Sequence, residues 1–166
     1  LGVSRSRSAP FVVTEMDPGT RIMFARNAWN GDFAERIAFA DMAGRQTSWT
    51  GDRREFLGRN SSIDHPASLE RGEKLSGKTG AGLDPCAVLQ TSVELEPGER
   101  TELLFLLGEG ADRDEARSLV EKYRALDCDA VLGEVRDYWN QILETVQVGE
   151  TLREHRVRAP EPLCLE

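Results

Sequence analysis

Glu55 to Gly98 reads EFLGRNSSIDHPASLERGEKLSGKTGAGLDPCAVLQTSVELEPG, and two incompatible folds compete for it. Gly72 to Thr79 (GEKLSGKT) fits the pattern G-x-x-x-x-G-K-[ST], which would make the chain an α/β nucleotide-binding protein. A working P-loop needs a buried strand leading into it and a helix starting at the Lys-Thr, so that the first helical amides meet the phosphates. Before Gly72 stands DHPASLER, which holds no apolar strand. After Thr79 stands GAGLDP, where Gly80, Gly82 and Pro85 oppose a helix. The match is a coincidence of a glycine-rich loop, and the β-rich sequence on either side decides the fold.

Working outward, CAVLQTSVEL (86–95) places Leu89, Thr91, Val93 and Leu95 on one face. Through the turn Glu96-Pro97-Gly98-Glu99 it leads to RTELLFLLG (100–108), and the two runs are expected to form a hairpin. Leu103 to Leu107 is apolar on both faces, which predicts a central, doubly covered strand. Upstream, FVVTE (11–15) and RIMFAR (21–26) are β-rich runs joined by Asp17-Pro18-Gly19. ERIAFADM (35–42) sets Ile37, Phe39 and Asp41 against Arg36, Ala38 and Ala40, a strand alternation. RQTSWT (45–50) and DRREFLG (52–58) read as further β segments, and 59–82 as a long loop.

Past Gly108 the period changes. Asp112 and Glu115 stand at capping-box spacing, and Ala116, Leu119, Val120 and Tyr123 follow as one helical stripe. A second helix opening near Asp129 carries Val131, Leu132, Val135, Tyr138, Trp139, Ile142, Leu143 and Val146, a wide stripe that requires a covering surface. The predicted organisation is a polar, disordered N-terminus over 1–10, a β-sandwich over 11–110, a two-helix linker over 111–148 and a disordered tail over 149–166. The closing Leu165-Glu166 resembles a cloning scar. The fold class expected is mainly β, an antiparallel sandwich followed by two amphipathic helices.

Composition excludes several functions. With 166 residues, 39% hydrophobic and 30% charged, the chain suits one globular domain. A net charge of −8 opposes nucleic acid and anionic membrane, which need clustered Lys and Arg. No apolar run approaches the roughly 20 residues of a membrane span, so no direct membrane insertion is expected. Cys86, Cys128 and Cys164 are scattered and form no C-x-x-C pair, which points to free thiols in a cytoplasmic setting. His65 and His155 are far apart, so no metal site or cofactor is expected. The 29 carboxylates single out no acid pair, and no G-x-S-x-G elbow occurs. No catalytic residue is assigned. Trp29 and Trp49, beside strand ends, read as core residues before sugar platforms. Arg59 and Asn60 offer a polar pair able to bind hydroxyls or phosphate, or to stabilise their own loop.

The strings NAWNGDFAERIAFADM, TSWTGDRREFLGRN, GAGLDPCAVLQTSVELEPGE and ARSLVEKYR resemble the N-terminal β-supersandwich and helical linker of the cellobiose-phosphorylase type enzymes, glycoside hydrolase family 94. The likeness covers about Phe11 to Val148 and is nearest in flavour to the corresponding region of cyclic β-1,2-glucan synthases. It implies a partial, galactose-mutarotase-like supersandwich lacking its first strands and ending before the (α/α) catalytic barrel. It also implies a non-catalytic domain of a glucan synthase or phosphorylase, its parent a bacterial inner-membrane protein. By position, the loop at Arg59 and Asn60 would face sugar or barrel. The partners implied are a β-linked glucan or the missing barrel, with a homodimer or higher oligomer expected from exposed strand edges. A free-standing carbohydrate-binding module and a structural or oligomerisation domain without a sugar role remain as alternatives.

Overall fold

The computed structural model describes residues 9–29 and 31–144. The chain divides into two units, Leu1–Ala125 and Leu126–Glu166. In the first, four strands form an antiparallel sheet in the order β1 (Val12–Met16), β2 (Met23–Asn27), β3 (Ile37–Asp41), β6 (Leu106–Gly110). A second antiparallel sheet pairs β4 (Ser48–Asp52) with β5 (Pro85–Gln90). Two short helices, α1 (Arg53–Leu57) and α2 (Ala67–Arg71), lie between β4 and β5, and α3 (Arg113–Arg124) follows β6. The fold is mainly β with helices toward the C-terminal end, as expected.

The β1–β2 turn forms where Asp17-Pro18-Gly19 predicts it. The Asp17 carboxylate accepts the Thr20 N–H at 2.9 Å and the Thr20 hydroxyl at 2.6 Å, and Arg21 N–H donates to the Asp17 carbonyl at 2.8 Å. The left-handed residue is Arg21 (φ 61), not Gly19.

In β3 the alternation holds: Ile37, Phe39 and Asp41 are buried while Ala38 is exposed. Phe24, Ile37 and Phe39 share one face of the sheet with Ile22, and against them lie Ala116 and Val120 of α3, both fully buried. Phe39 pairs with Gly108 of β6, where an added Cβ would stand 2.6 Å from the Phe39 ring. Only glycine leaves room for the ring there. Asp112 caps α3 by accepting the Glu115 N–H at 2.8 Å, as its spacing with Glu115 foretold.

A buried polar clamp fixes the far end of α3. Asp41, with a fully buried side chain, takes Arg124 bidentately, Nε at 2.8 Å and Nη2 at 2.7 Å. Gln46, also fully buried, adds its side-chain amide at 3.1 Å, and Arg124 donates to the Thr20 carbonyl at 2.9 Å.

Several sequence expectations fail. The long loop expected over 59–82 contains the helix α2 (Ala67–Arg71). DRREFLG contains the helix α1: Asp52 caps it by accepting the Arg54 N–H at 3.1 Å, a start signal that outweighs the β character of Phe56 and Leu57. The hairpin over 86–108 does not form. Its turn closes, with Glu99 N–H donating to the Glu96 carbonyl at 2.9 Å, but β5 pairs with β4 and β6 with β3, in different sheets. A period of two fixes which face a residue takes and is silent about which neighbour its strand chooses. Nor is Leu103 to Leu107 central: β6 is an edge strand, with Phe105 63% and Leu107 85% exposed. Trp29 is no core residue either, being 69% exposed.

The second unit is described through α4 (Cys128–Glu144), a 17-residue helix with no buried residue, although its stripe was expected to be covered. Tyr138 and Trp139 meet edge to face at 5.8 Å. Among the described residues no helix is long and apolar enough to cross a membrane. The tail expected over 149–166 and the N-terminal residues 1–8 lie outside the described residues.

Candidate functional site

The glycine-rich segment is tied down along β4. Leu75 N–H donates to Ser48 Oγ at 3.2 Å, Ser76 N–H to Glu55 Oε1 at 2.6 Å and Gly77 N–H to the Trp49 carbonyl at 2.9 Å. Lys78 is salt-bridged to Asp52 at 2.6 Å, and its carbonyl accepts the Gly51 N–H. Three amides that would have to converge on a phosphate are therefore spent on the protein, and the lysine is spent with them. Gly80 continues the segment to β1, its carbonyl accepting the Thr14 N–H at 3.2 Å.

Arg59 and Asn60 follow Gly58 (φ 80), the residue that ends α1, and both are exposed. The structure brings the pair together at the surface of the α1–α2 connection.

A groove that sequence reading missed lies on the opposite face of the four-stranded sheet from α3. Strand pairing aligns Asn27 with Val12, and Ala25 with Ala38, which in turn opposes Glu109. These residues, with Arg36 and Phe33, line a groove of about 360 Å³. Arg36 and Glu109 form an ion pair along it, both substantially exposed. Close in the chain to the lining residues Val12 and Asn27 stand Phe11 and Trp29, whose rings stack with centroids 4.3 Å apart and planes 25° apart. The Trp29 backbone N–H donates to Asn27 Oδ1 at 3.1 Å, a local turn contact with a residue of the groove lining. The signal for this site was present in the sequence: Trp29 sits in NAWNGDF, among residues that favour turns.

Elsewhere the titratable groups serve the fold. Hydrogen bonds from Thr20 hold the Asp17 carboxyl below its usual range, helped by Arg117. Burial pushes Asp41 up, but the bonds from Arg124 and Gln46 outweigh it and leave the carboxyl lowered. Asp52 and Glu55 are lowered in the same way, against their burial, by Lys78 and by Thr50 and Ser76 respectively. Burial, with Asp52 and Asp84 adding to it, pushes the Cys86 thiol up to about 11, so it stays protonated and unreactive near neutral pH. His65 stands 3.9 Å from Glu70 and is largely exposed. Among the described residues no group of three His, Cys, Asp or Glu is placed to hold a metal ion.

Residues 1–126 match the family described as "Glycosyl hydrolase 94, supersandwich domain". The cyclic beta-(1,2)-glucan synthase NdvB of Rhizobium meliloti (strain 1021) is 35% identical over 148 residues, 89% of this chain and 5% of that protein. The 3-O-beta-D-glucopyranosyl-beta-D-glucuronide phosphorylase of Paenibacillus borealis is 30% identical over 95 residues, 57% of this chain and 12% of that protein. The chain thus spans a small part of the length of both relatives.

Proposed function

The chain belongs to the glycosyl hydrolase 94 family, matching its supersandwich domain, and we propose that it is a non-catalytic, carbohydrate-associated domain of a glucan synthase or phosphorylase. The observation that carries this reading is the family match itself, which runs over residues 1–126 and falls on the supersandwich domain. The state of the carboxylates supports it. A general acid for glycosidic cleavage needs a raised pKa, and the four carboxylates with a resolved shift, Asp17, Asp41, Asp52 and Glu55, are lowered and bound to fold-holding partners, so these four do not suit that role. In this reading Arg59 and Asn60 face the sugar or the catalytic barrel of a larger enzyme.

The test is direct. The purified chain, given β-linked gluco-oligosaccharides with inorganic phosphate, or glucose 1-phosphate with an acceptor sugar, is expected to release neither glucose 1-phosphate nor phosphate. Turnover above the no-protein control overturns the non-catalytic reading.

A further inference from the structure

We propose that the Trp29–Phe11 stack and the groove beside it bind a β-linked gluco-oligosaccharide. This rests on the reading of the chain as part of a glucan enzyme, but the observations are those of the surface itself. Trp29 is 69% exposed and Phe33 is 55% exposed, two large apolar side chains on one loop held in water. Exposed apolar groups gathered at one place mark an interaction surface. Phe11 covers one face of the indole, so the other face is left open to a ligand. The bond from the Trp29 backbone N–H to Asn27 Oδ1 shapes the turn that carries the indole.

The groove is about 360 Å³, inside the span of about 300–1,000 Å³ typical of small-ligand sites. Its chemistry selects the ligand class. A β-linked glucopyranose carries its hydroxyls around the ring edge and presents apolar C–H faces above and below. The flat indole suits the C–H face. The edge needs donors and acceptors side by side, and the Arg36–Glu109 pair supplies both within reach of neighbouring hydroxyls, with Asn27 adding an amide. Arg26 lines the groove as well and adds a second guanidinium, a planar fork of donors, to those facing the sugar's hydroxyls. A polyanion is opposed by the net charge of −8.

The experiment titrates the whole chain with a β-1,2-linked gluco-oligosaccharide, following tryptophan emission and heat of binding, with an α-1,4-linked oligosaccharide as comparison. The expected result is saturable binding of the β-linked sugar that Trp29→Ala weakens about tenfold, the ratio for roughly 1.4 kcal/mol of lost stacking, while Trp29→Phe keeps most of it. Arg36→Gln is expected to weaken binding by a smaller factor without touching the aromatic stack. Circular dichroism of each variant is expected to match the parent chain, because these side chains are exposed. Absence of saturable binding by the parent chain overturns the proposal, and so does equal affinity in Trp29→Ala. Either result leaves the non-catalytic reading intact, since that reading falls only to turnover.

Discussion

The two faces of the four-stranded sheet are made by the same strands and have opposite characters. On one, Phe24, Ile37 and Phe39 meet Ala116 and Val120 of α3 in the main core. On the other, Ala25, Ala38 and Ala40 form a shallow floor, with Thr14 and Met23 buried toward β1 and Ala38 and Leu107 exposed toward β6. Side chains alternate along a strand, so a one-residue slip would exchange the two faces. Phe39 over Gly108 opposes that slip, because the ring fits only where the partner strand has no Cβ. The large residues of the first face meet α3, whereas on the second face β4 and β5 reach only part of the floor, beside the buried Thr14 and Met23, and leave Ala38 and Leu107 exposed. The main core therefore lies on one face, and the groove proposed above to bind sugar lies on the other.

The largest expected effect breaks the covered face. Phe39→Ala removes a ring that is 6% exposed and packed in the main cluster, and the expected cost is about 3–5 kcal/mol, read as a drop in the urea midpoint. A loss below about 1 kcal/mol would mean that the helix-backed face does not hold the fold.

How far the sequence revealed this asymmetry depends on the range of each signal. Local signals were legible. The Asp17 turn, the β3 alternation, the Asp112 cap and the Ala116–Val120 stripe each need residues within a few positions of one another. Long-range choices were not. β5 and β6 both carried clear β patterns, yet their partners β4 and β3 lie 33 or more residues away in the chain, and the turn between them suggested the wrong pairing. The groove failed for the same reason. Val12, Asn27, Ala38 and Glu109 come from four strands and become neighbours only through the register. Arg59 and Asn60 were drawn from the resemblance and from their loop, and the structure gives them exposure without a surrounding cavity wall.

An intermediate effect separates the clamp from the core. Asp41→Asn weakens the charge-assisted bonds that tie α3 to the sheet, at an expected cost of about 2–3 kcal/mol, moderated because Arg124 keeps some access to water. The same carboxylate makes stability depend on acid. Its folded pKa is lowered, as is that of Asp17, so their contribution is full above the unfolded value of about 4 and is lost as pH falls through the folded values. Urea midpoints of the parent chain are expected to fall below about pH 4, and less steeply in Asp41→Asn. Parallel pH profiles for the two proteins would show that the clamp does not couple folding to protonation.

The smallest effect on stability falls on the bare face. Leu107 is 85% exposed on β6, so Leu107→Lys is expected to change the unfolding free energy by no more than about 0.5 kcal/mol. Its effect on association is expected to be larger. β6 offers an unpaired edge among the described strands, whereas β1 is bridged to Gly80 on its far side. An open edge flanked by Phe105 and Leu107 is a template for a second chain, and this is the physical ground for proposing a homodimer or higher oligomer. A lysine on such an edge blocks pairing, because each copy would have to bury a charge against the other. Light scattering is therefore expected to show an oligomer for the parent chain and a lower mass for Leu107→Lys at equal stability. A parent chain that stays monomeric at high concentration would rule out this assembly, and an oligomer indifferent to Leu107→Lys would move the contact away from the bare face.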